Sequence, residues 1–196
     1  AVTGAGPWTV SYTLDGATQT TTGNSSPICL GNAAGVYNVT GIEDANCTNG
    51  AAGSQTITVN PLPTITGING GATYCVGDVI NDVCVDVTGT GPWTVTYQVN
   101  GGGNQTVTGN TSPICLGNGA GTYTVTAIED ANCTNTASFN DEIIINPLPT
   151  VTSVTGGGVY CAGDVVNEVC VAVTGAGPWT VSYTLDGATQ TTTGNS

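Results

Sequence analysis

The chain has 196 residues and a formal charge of −13, with thirteen Asp and Glu and no Lys, Arg or His. Without a single cationic side chain it offers no phosphate clamp, no nucleic-acid groove and no polybasic membrane anchor, and ion pairs between side chains are excluded. Charged residues are only 7% of the chain, so it is not a disordered acidic tail; it is rich in Thr, Val, Gly and Asn, the chemistry of strands and turns.

Read from its start, the chain repeats itself. Gly-Pro-Trp occurs at Gly6, Gly91 and Gly177, Pro-Ile-Cys-Leu at Pro27 and Pro113, and Ile-Glu-Asp-Ala-Asn-Cys-Thr at Ile42 and Ile128. Asn-Pro-Leu-Pro-Thr follows at Asn60 and Asn146, and Tyr-Cys at Tyr74 and Tyr160. Copies lie 85 or 86 residues apart, the difference being one extra residue between Tyr97 and Pro113. Ala172 to Ser196 also repeats Ala1 to Ser25 without a difference, 171 residues on. Two unequal repeats therefore form a super-repeat that has begun again by Ala172. The two prolines of Asn-Pro-Leu-Pro-Thr stiffen a short extended linker and cannot serve a central strand, so this segment marks the domain boundaries. Residues 1–62 are expected to be a repeat lacking its N-terminal strands, 63–148 a complete repeat, and 149–196 a repeat lacking its C-terminal strands. The chain reads as a window cut from a longer array.

The complete repeat shows strand alternation throughout and no helical period. Strand A is expected near Thr64 to Asn69, B near Asp82 to Thr88, C near Trp93 to Asn100 and D near Gln105 to Gly109. E follows near Ser112 to Gly117, F near Gly121 to Glu129 and G near Glu142 to Asn146. Val83, Val85 and Val87 alternate with Cys84, Asp86 and Thr88, and Tyr123, Val125 and Ala127 alternate with Thr122, Thr124 and Thr126. Strands this short and regular predict an all-β fold: tandem Ig-like antiparallel β-sandwich domains of about 86 residues. Trp93 on C matches the buried Trp of such sandwiches. Trp8, Trp93, Trp179, Tyr97 and Tyr123 are the expected aromatic core.

The eight cysteines recur at fixed spacings without CxxC pairs or His, which reads as disulfides in an oxidising compartment, not zinc. Alternation turns Cys84 on B and Cys115 on E away from the core on neighbouring strands, so a bond between them is one scheme, worth roughly 3–4 kcal/mol for a loop of that length. Cys75 and Cys133 would then sit at opposite ends of one domain, where bonds between successive domains are natural. The other scheme pairs locally: Cys75–Cys84, Cys115–Cys133, Cys29–Cys47 and Cys161–Cys170. Glu129, Asp130 and Asn132 in the F–G loop and Asp78 and Asp82 before B are oxygen donors of the kind calcium takes. Their spacing matches no strict calcium loop, and solvated turns are the better account of them. Gly117, Gly119 and Gly121 imitate a phosphate loop, but no helix follows and no Lys is present, so they read as a tight turn. With no His or Lys base, no nucleophile triad and no convergent acids, the chain reads as non-enzymatic and without cofactor.

Thr-Gly-Thr-Gly-Pro-Trp-Thr-Val-Thr-Tyr at Thr88, Cys-Val-Gly-Asp at Cys75, Asp-Ala-Asn-Cys at Asp130 and the Asn-Pro-Leu-Pro-Thr linker carry a family likeness. The chain resembles the repeat regions of giant Bacteroidota surface proteins exported by the type IX system, of which SprB-type gliding-motility adhesins are the best-known case. Relatives of that kind often carry only the first and last cysteine of each repeat, so Cys84 and Cys115 are a departure. The resemblance implies an extracellular cell-surface adhesin stalk or filament. Its expected partners are neighbouring repeats and a surface polysaccharide or substratum, with no nucleic acid and no membrane insertion by this segment. The alternative is a purely structural filament or sheath component. The perfect 171-residue repeat predicts that the chain continues past Ser196 as Ser-Pro-Ile-Cys-Leu-Gly, copying Ser26 to Gly31. Gene or peptide sequence checks this, and a stop or unrelated residues there would remove the array.

Overall fold

The computed structural model describes residues 6–195. The chain divides into two compact units, the first ending at Pro61 and the second beginning at Leu62. In the first unit, β1 (Trp8–Leu14), β2 (Ala17–Gly23), β3 (Gly35–Glu43) and β4 (Thr48–Ile57) form one antiparallel sheet in the order β2-β1-β3-β4. A two-residue turn, Asp15–Gly16, joins β1 to β2 with φ of 48° and 86°. Both angles are left-handed, the condition for a hairpin turn whose twist matches its strands, and Asp-Gly meets it at little cost.

The second unit opens with the complete repeat: β5 (Thr64–Asn69), β6 (Thr73–Cys75), β7 (Val83–Thr88), β8 (Trp93–Val99), β9 (Gln105–Gly109), β10 (Ile114–Gly117), β11 (Gly121–Glu129) and β12 (Thr134–Asn146). They form two sheets, β10-β7-β5 and β6-β12-β11-β8-β9, and every described pairing is antiparallel except β6 with β12. This is an Ig-like β-sandwich. Its core joins Ile65, Val83, Val85, Val87, Ile114 and Leu116 of one sheet to Val95, Tyr97, Tyr123, Val125, Ile128 and Ile143 of the other. The unit continues with two further hairpins: β13 (Thr150–Thr155) with β14 (Cys170–Thr174), and β15 (Trp179–Leu185) with β16 (Ala188–Gly194). These correspond in sequence to β5, β7, β8 and β9.

Four details depart from the alternation pattern. The segment expected as strand D, β9, pairs with β8 through Trp93↔Gly109 and extends the five-stranded sheet. The last strand is far longer than Glu142 to Asn146, starting at Thr134. Ala127 does not continue the inward face of Tyr123 and Val125, because the register with both β8 and β12 shifts between Val125 and Ala127. The bulge inserts one residue and turns Ile128 inward instead. Trp93 is half-buried, not buried, and packs against the core from its edge. It is the first residue of β8, where the sandwich ends, and its ring folds back over Gly91. A Cβ there would lie 3.0 Å from Trp93 Cζ3, which explains the glycine of Gly-Pro-Trp. Trp8 and Trp179 are likewise half-buried.

The tyrosines are the polar part of the core. Tyr97 and Tyr123 are buried and stack with ring centroids 6.2 Å apart. Tyr97 Oη donates to the Leu116 carbonyl at 3.0 Å, tying the two sheets together, and Tyr12 makes the same bond to Leu30 at 2.8 Å in the first unit. Tyr97→Phe keeps the packing and leaves a buried carbonyl unpaired, so it should cost about 1–2 kcal/mol in denaturant titration. An unchanged midpoint would show that this bond does not hold the sheets.

Candidate functional site

The surfaces that carry chemistry lie at the two poles of the complete repeat. At the leading pole, the chain comes in through Pro63, which is fully buried. Asn135 Nδ2 donates to the Pro63 carbonyl at 2.9 Å and so fixes the start of β12 beside the incoming chain. Between β11 and β12 the turn is built on Asp130, only 7% exposed. Its Oδ1 accepts from the backbone N–H of Asn132 and Cys133, each at 2.8 Å, and its Oδ2 accepts from Thr90 N–H at 3.2 Å. Gly89, at φ 123°, lets these loops close: a Cβ there would lie 3.0 Å from Asp130 Oδ2 and 3.1 Å from Pro63 Cα. The Asn132 N–H holds the Asp130 carboxyl below the usual aspartate value; burial opposes it, and the Cys133 and Thr90 N–H groups assist. Asp44 repeats the turn in the first unit, accepting from Asn46 N–H at 2.9 Å and Cys47 N–H at 2.8 Å.

At the trailing pole, β6 lies beside the end of β12, with Cys75 opposite Asn146. Val76 N–H donates to the Asn146 carbonyl at 2.9 Å, and Ile144 N–H to that of Ala72 at 3.0 Å. Asp78 Oδ2 accepts from Cys75 N–H at 2.7 Å, closing the turn after β6. Asp141 Oδ2 accepts from Gly71 N–H at 2.8 Å, an approach that leaves no room for a side chain at Gly71.

The five calcium candidates divide between these poles. Glu129, Asp130 and Asn132 stand at the leading one, and Asp78 and Asp82 precede β7 at the other. Asp130 and Asp78 each already serve as acceptors for backbone amides within their own turns. Among the described residues no three His, Cys, Asp or Glu gather as a metal site would require.

Cys84 and Cys115 face each other across β7 and β10 and are bonded, closing a loop with a sequence separation of 31. The local pairs Cys75–Cys84 and Cys115–Cys133 are therefore not formed. The reason is topological: Cys75 belongs to the other sheet, on β6. Cys29, Cys47, Cys161 and Cys170 are exposed and form no disulfide among the described residues, so the local pairs Cys29–Cys47 and Cys161–Cys170 are not formed either. The Gly117, Gly119 and Gly121 segment is a turn around a tyrosine, with Tyr123 Oη donating to the Gly119 carbonyl at 3.0 Å. This corner recurs as Tyr37 to Ala33 at 3.1 Å. A Tyr near the start of the F strand bonding back to its preceding turn belongs to Ig-like sandwiches, and Gly-x-Gly-x-Gly-x-Tyr was the signal for it.

An Ig-like family model, the ninth immunoglobulin-like domain of nucleoporin pom152-like proteins, matches residues 63–143. No curated protein matches the sequence. Among solved structures, the chain is similar to a Ca2+-stabilized adhesin that helps an Antarctic bacterium reach out and bind ice, with 23% identity and a TM-score of 0.37. That alignment covers 96% of this chain and 55% of the other, so the chain spans about half the length of that structure.

The Asp130 turn makes a pH prediction. A carboxyl held below its unfolded value, about 3.9, contributes stability that is present above that pH and is lost as pH falls through the folded value. Asp130→Asn should lower the denaturation midpoint at neutral pH and flatten the loss of stability below about pH 4. Equal acid sensitivity in both proteins, measured by thermal melts across pH, would place the acid-labile group elsewhere.

Proposed function

We propose that this chain is a stalk segment of an extracellular cell-surface adhesin, non-catalytic, in which the repeats supply reach. The observation that carries the reading is the placement of the chain ends of the complete repeat. The polypeptide comes in at Pro63 on one pole and leaves after Asn146 on the other, having run along the thirteen residues of β12. Such a unit, joined to its copies through Asn-Pro-Leu-Pro-Thr, adds length with each repetition, and each unit is stabilised mainly by itself and its neighbours. A disulfide on the sheet surface suits an oxidising location outside the cytosol. A uniformly negative chain resists lateral association with others of its kind. Asp130, Asp78 and Asp141 are engaged in internal turns, and Tyr97 and Tyr123 are buried in the core, so these groups are not available to hold a sugar. Specific grip on a surface polysaccharide or substratum therefore belongs to another part of the protein. Gliding motility of the SprB type is the narrower form of this role, resting on the resemblance of the repeats.

Deleting several super-repeats while keeping both termini of the whole protein should shorten the surface filament, seen by electron microscopy, and leave ligand specificity unchanged. Should fragments of two repeats bind the adhesion surface as tightly as the whole protein, the repeats themselves are the adhesive. A protein that shows no adhesion phenotype when deleted would be a sheath component.

A further inference from the structure

We propose that successive repeats are joined by a second class of disulfide, from the Cys75 position of one repeat to the Cys133 position of the next. The inference rests on the tandem-array reading and concerns the junction that reading creates. Both cysteines are placed by the same strand. Cys133 immediately precedes β12, at the leading pole, and Cys75 lies opposite Asn146, the last residue of β12, at the trailing pole. Thirteen extended residues separate the two positions by roughly 40 Å, whereas bonded cysteines need Cα atoms about 4.4–6.8 Å apart. A bond between them inside one repeat is geometrically excluded.

Across a junction the arithmetic reverses. Only Pro147, Leu148 and Pro149 separate the end of β12 from β13, a span of roughly 10 Å. The trailing pole of one repeat and the leading pole of the next must therefore lie close, each presenting one cysteine near the connecting chain. Cys75 is itself exposed, so its side chain is accessible at that pole. Bond formation removes two protons and two electrons from the thiols. A disulfide-bonded oxidoreductase or small-molecule disulfide accepts them by exchange and leaves as two thiols.

The two repeat types make the bond readable by mass. One type carries Cys-Val-Gly at Cys75 and Cys-Thr-Asn-Thr at Cys133; the other carries Cys-Ala-Gly at Cys161 and Cys-Thr-Asn-Gly at Cys47. Because the types alternate, bonds between repeats join Cys-Val-Gly to Cys-Thr-Asn-Gly and Cys-Ala-Gly to Cys-Thr-Asn-Thr. Bonds within a repeat would make the opposite combinations. The full-length protein should be alkylated without reduction, digested with pepsin in acid, where thiolate exchange is suppressed, and analysed by tandem mass spectrometry. The expected result is the two between-repeat peptides, lost on reduction, in a protein that migrates as a single chain without reductant. Within-repeat combinations, alkylated thiol at the Cys75 position, or multimers dissolved by reductant would each overturn the proposal. Peptides spanning the region after Ser196 test the array separately: unrelated sequence there defeats the tandem reading, whatever the cysteines do.

Discussion

A chain with carboxylates and no cationic side chain must pair its acids with neutral donors, and the donors within reach are backbone amides. Much of this architecture follows from that constraint. Asp130 accepts three amide bonds, Asp78 closes the turn after β6, Asp141 reaches Gly71 seventy residues away, and Asp15 caps the start of β3 through Val36 N–H at 2.8 Å. Asp164 repeats the Asp78 bond, to Cys161 N–H at 2.7 Å. Each of these bonds fixes a loop at a defined place, and charge-assisted acceptors of this kind are stronger than neutral ones. Several glycines beside them exist because an amide can approach a carboxylate only where no Cβ intervenes, as at Gly71 and Gly89. The poles of the repeat are thus rigid surfaces made from turns, and they define where one unit stops and the next begins.

Between the poles the repeat has a modest core of valines, isoleucines and two stacked tyrosines. Such a core benefits from covalent support, and the Cys84–Cys115 bond provides it across β7 and β10. The tyrosine hydroxyls do a second job: they pair with carbonyls in the E region and its turn, at Leu116 and Gly119, which have no ladder partner there. The first unit places Tyr12 and Tyr37 the same way, with stacked rings 5.8 Å apart.

Where a strand had one face against the core, its sequence was easy to read. Val83, Val85 and Val87 alternate as β7 requires, and the ends of β5, β9 and β11 coincide with those expected from the pattern. Legibility failed where side chains carry no hydrophobic contrast. Thr134 to Ser138 is small and largely polar, so the first half of β12 carried no strand signal, although Thr134 to Thr136 pair with β11 before the register shifts. The bulge after Val125 is a feature of hydrogen-bond register and leaves no mark on a run of Thr and Val. Sheet membership of β9 depends on which neighbour it meets, which is tertiary information. Trp93 misled because its size predicts burial while its position at the start of β8 sets it at the rim. That Asp130 belongs to a turn was legible in its polar neighbours, but its burial and the three amides it accepts from emerge only once the backbone is placed.

The parallel pairing of β6 with β12 has a mechanical meaning. A load drawn between Pro63 and Asn146 pulls the N-terminal strands and β12 in opposite directions along their own axes. The β6–β12 rungs then lie across the direction of sliding and must shear together, whereas a hairpin pulled at its open end unzips one rung at a time. This three-rung ladder therefore stands in the path of such a load. Should it give way, the 31-residue loop held by Cys84 and Cys115 cannot pay out, which withholds about 100 Å of contour length from each yielding repeat. A string of such domains would still lengthen as repeats were breached, but each 86-residue repeat would release about a third less chain than it would without the bond.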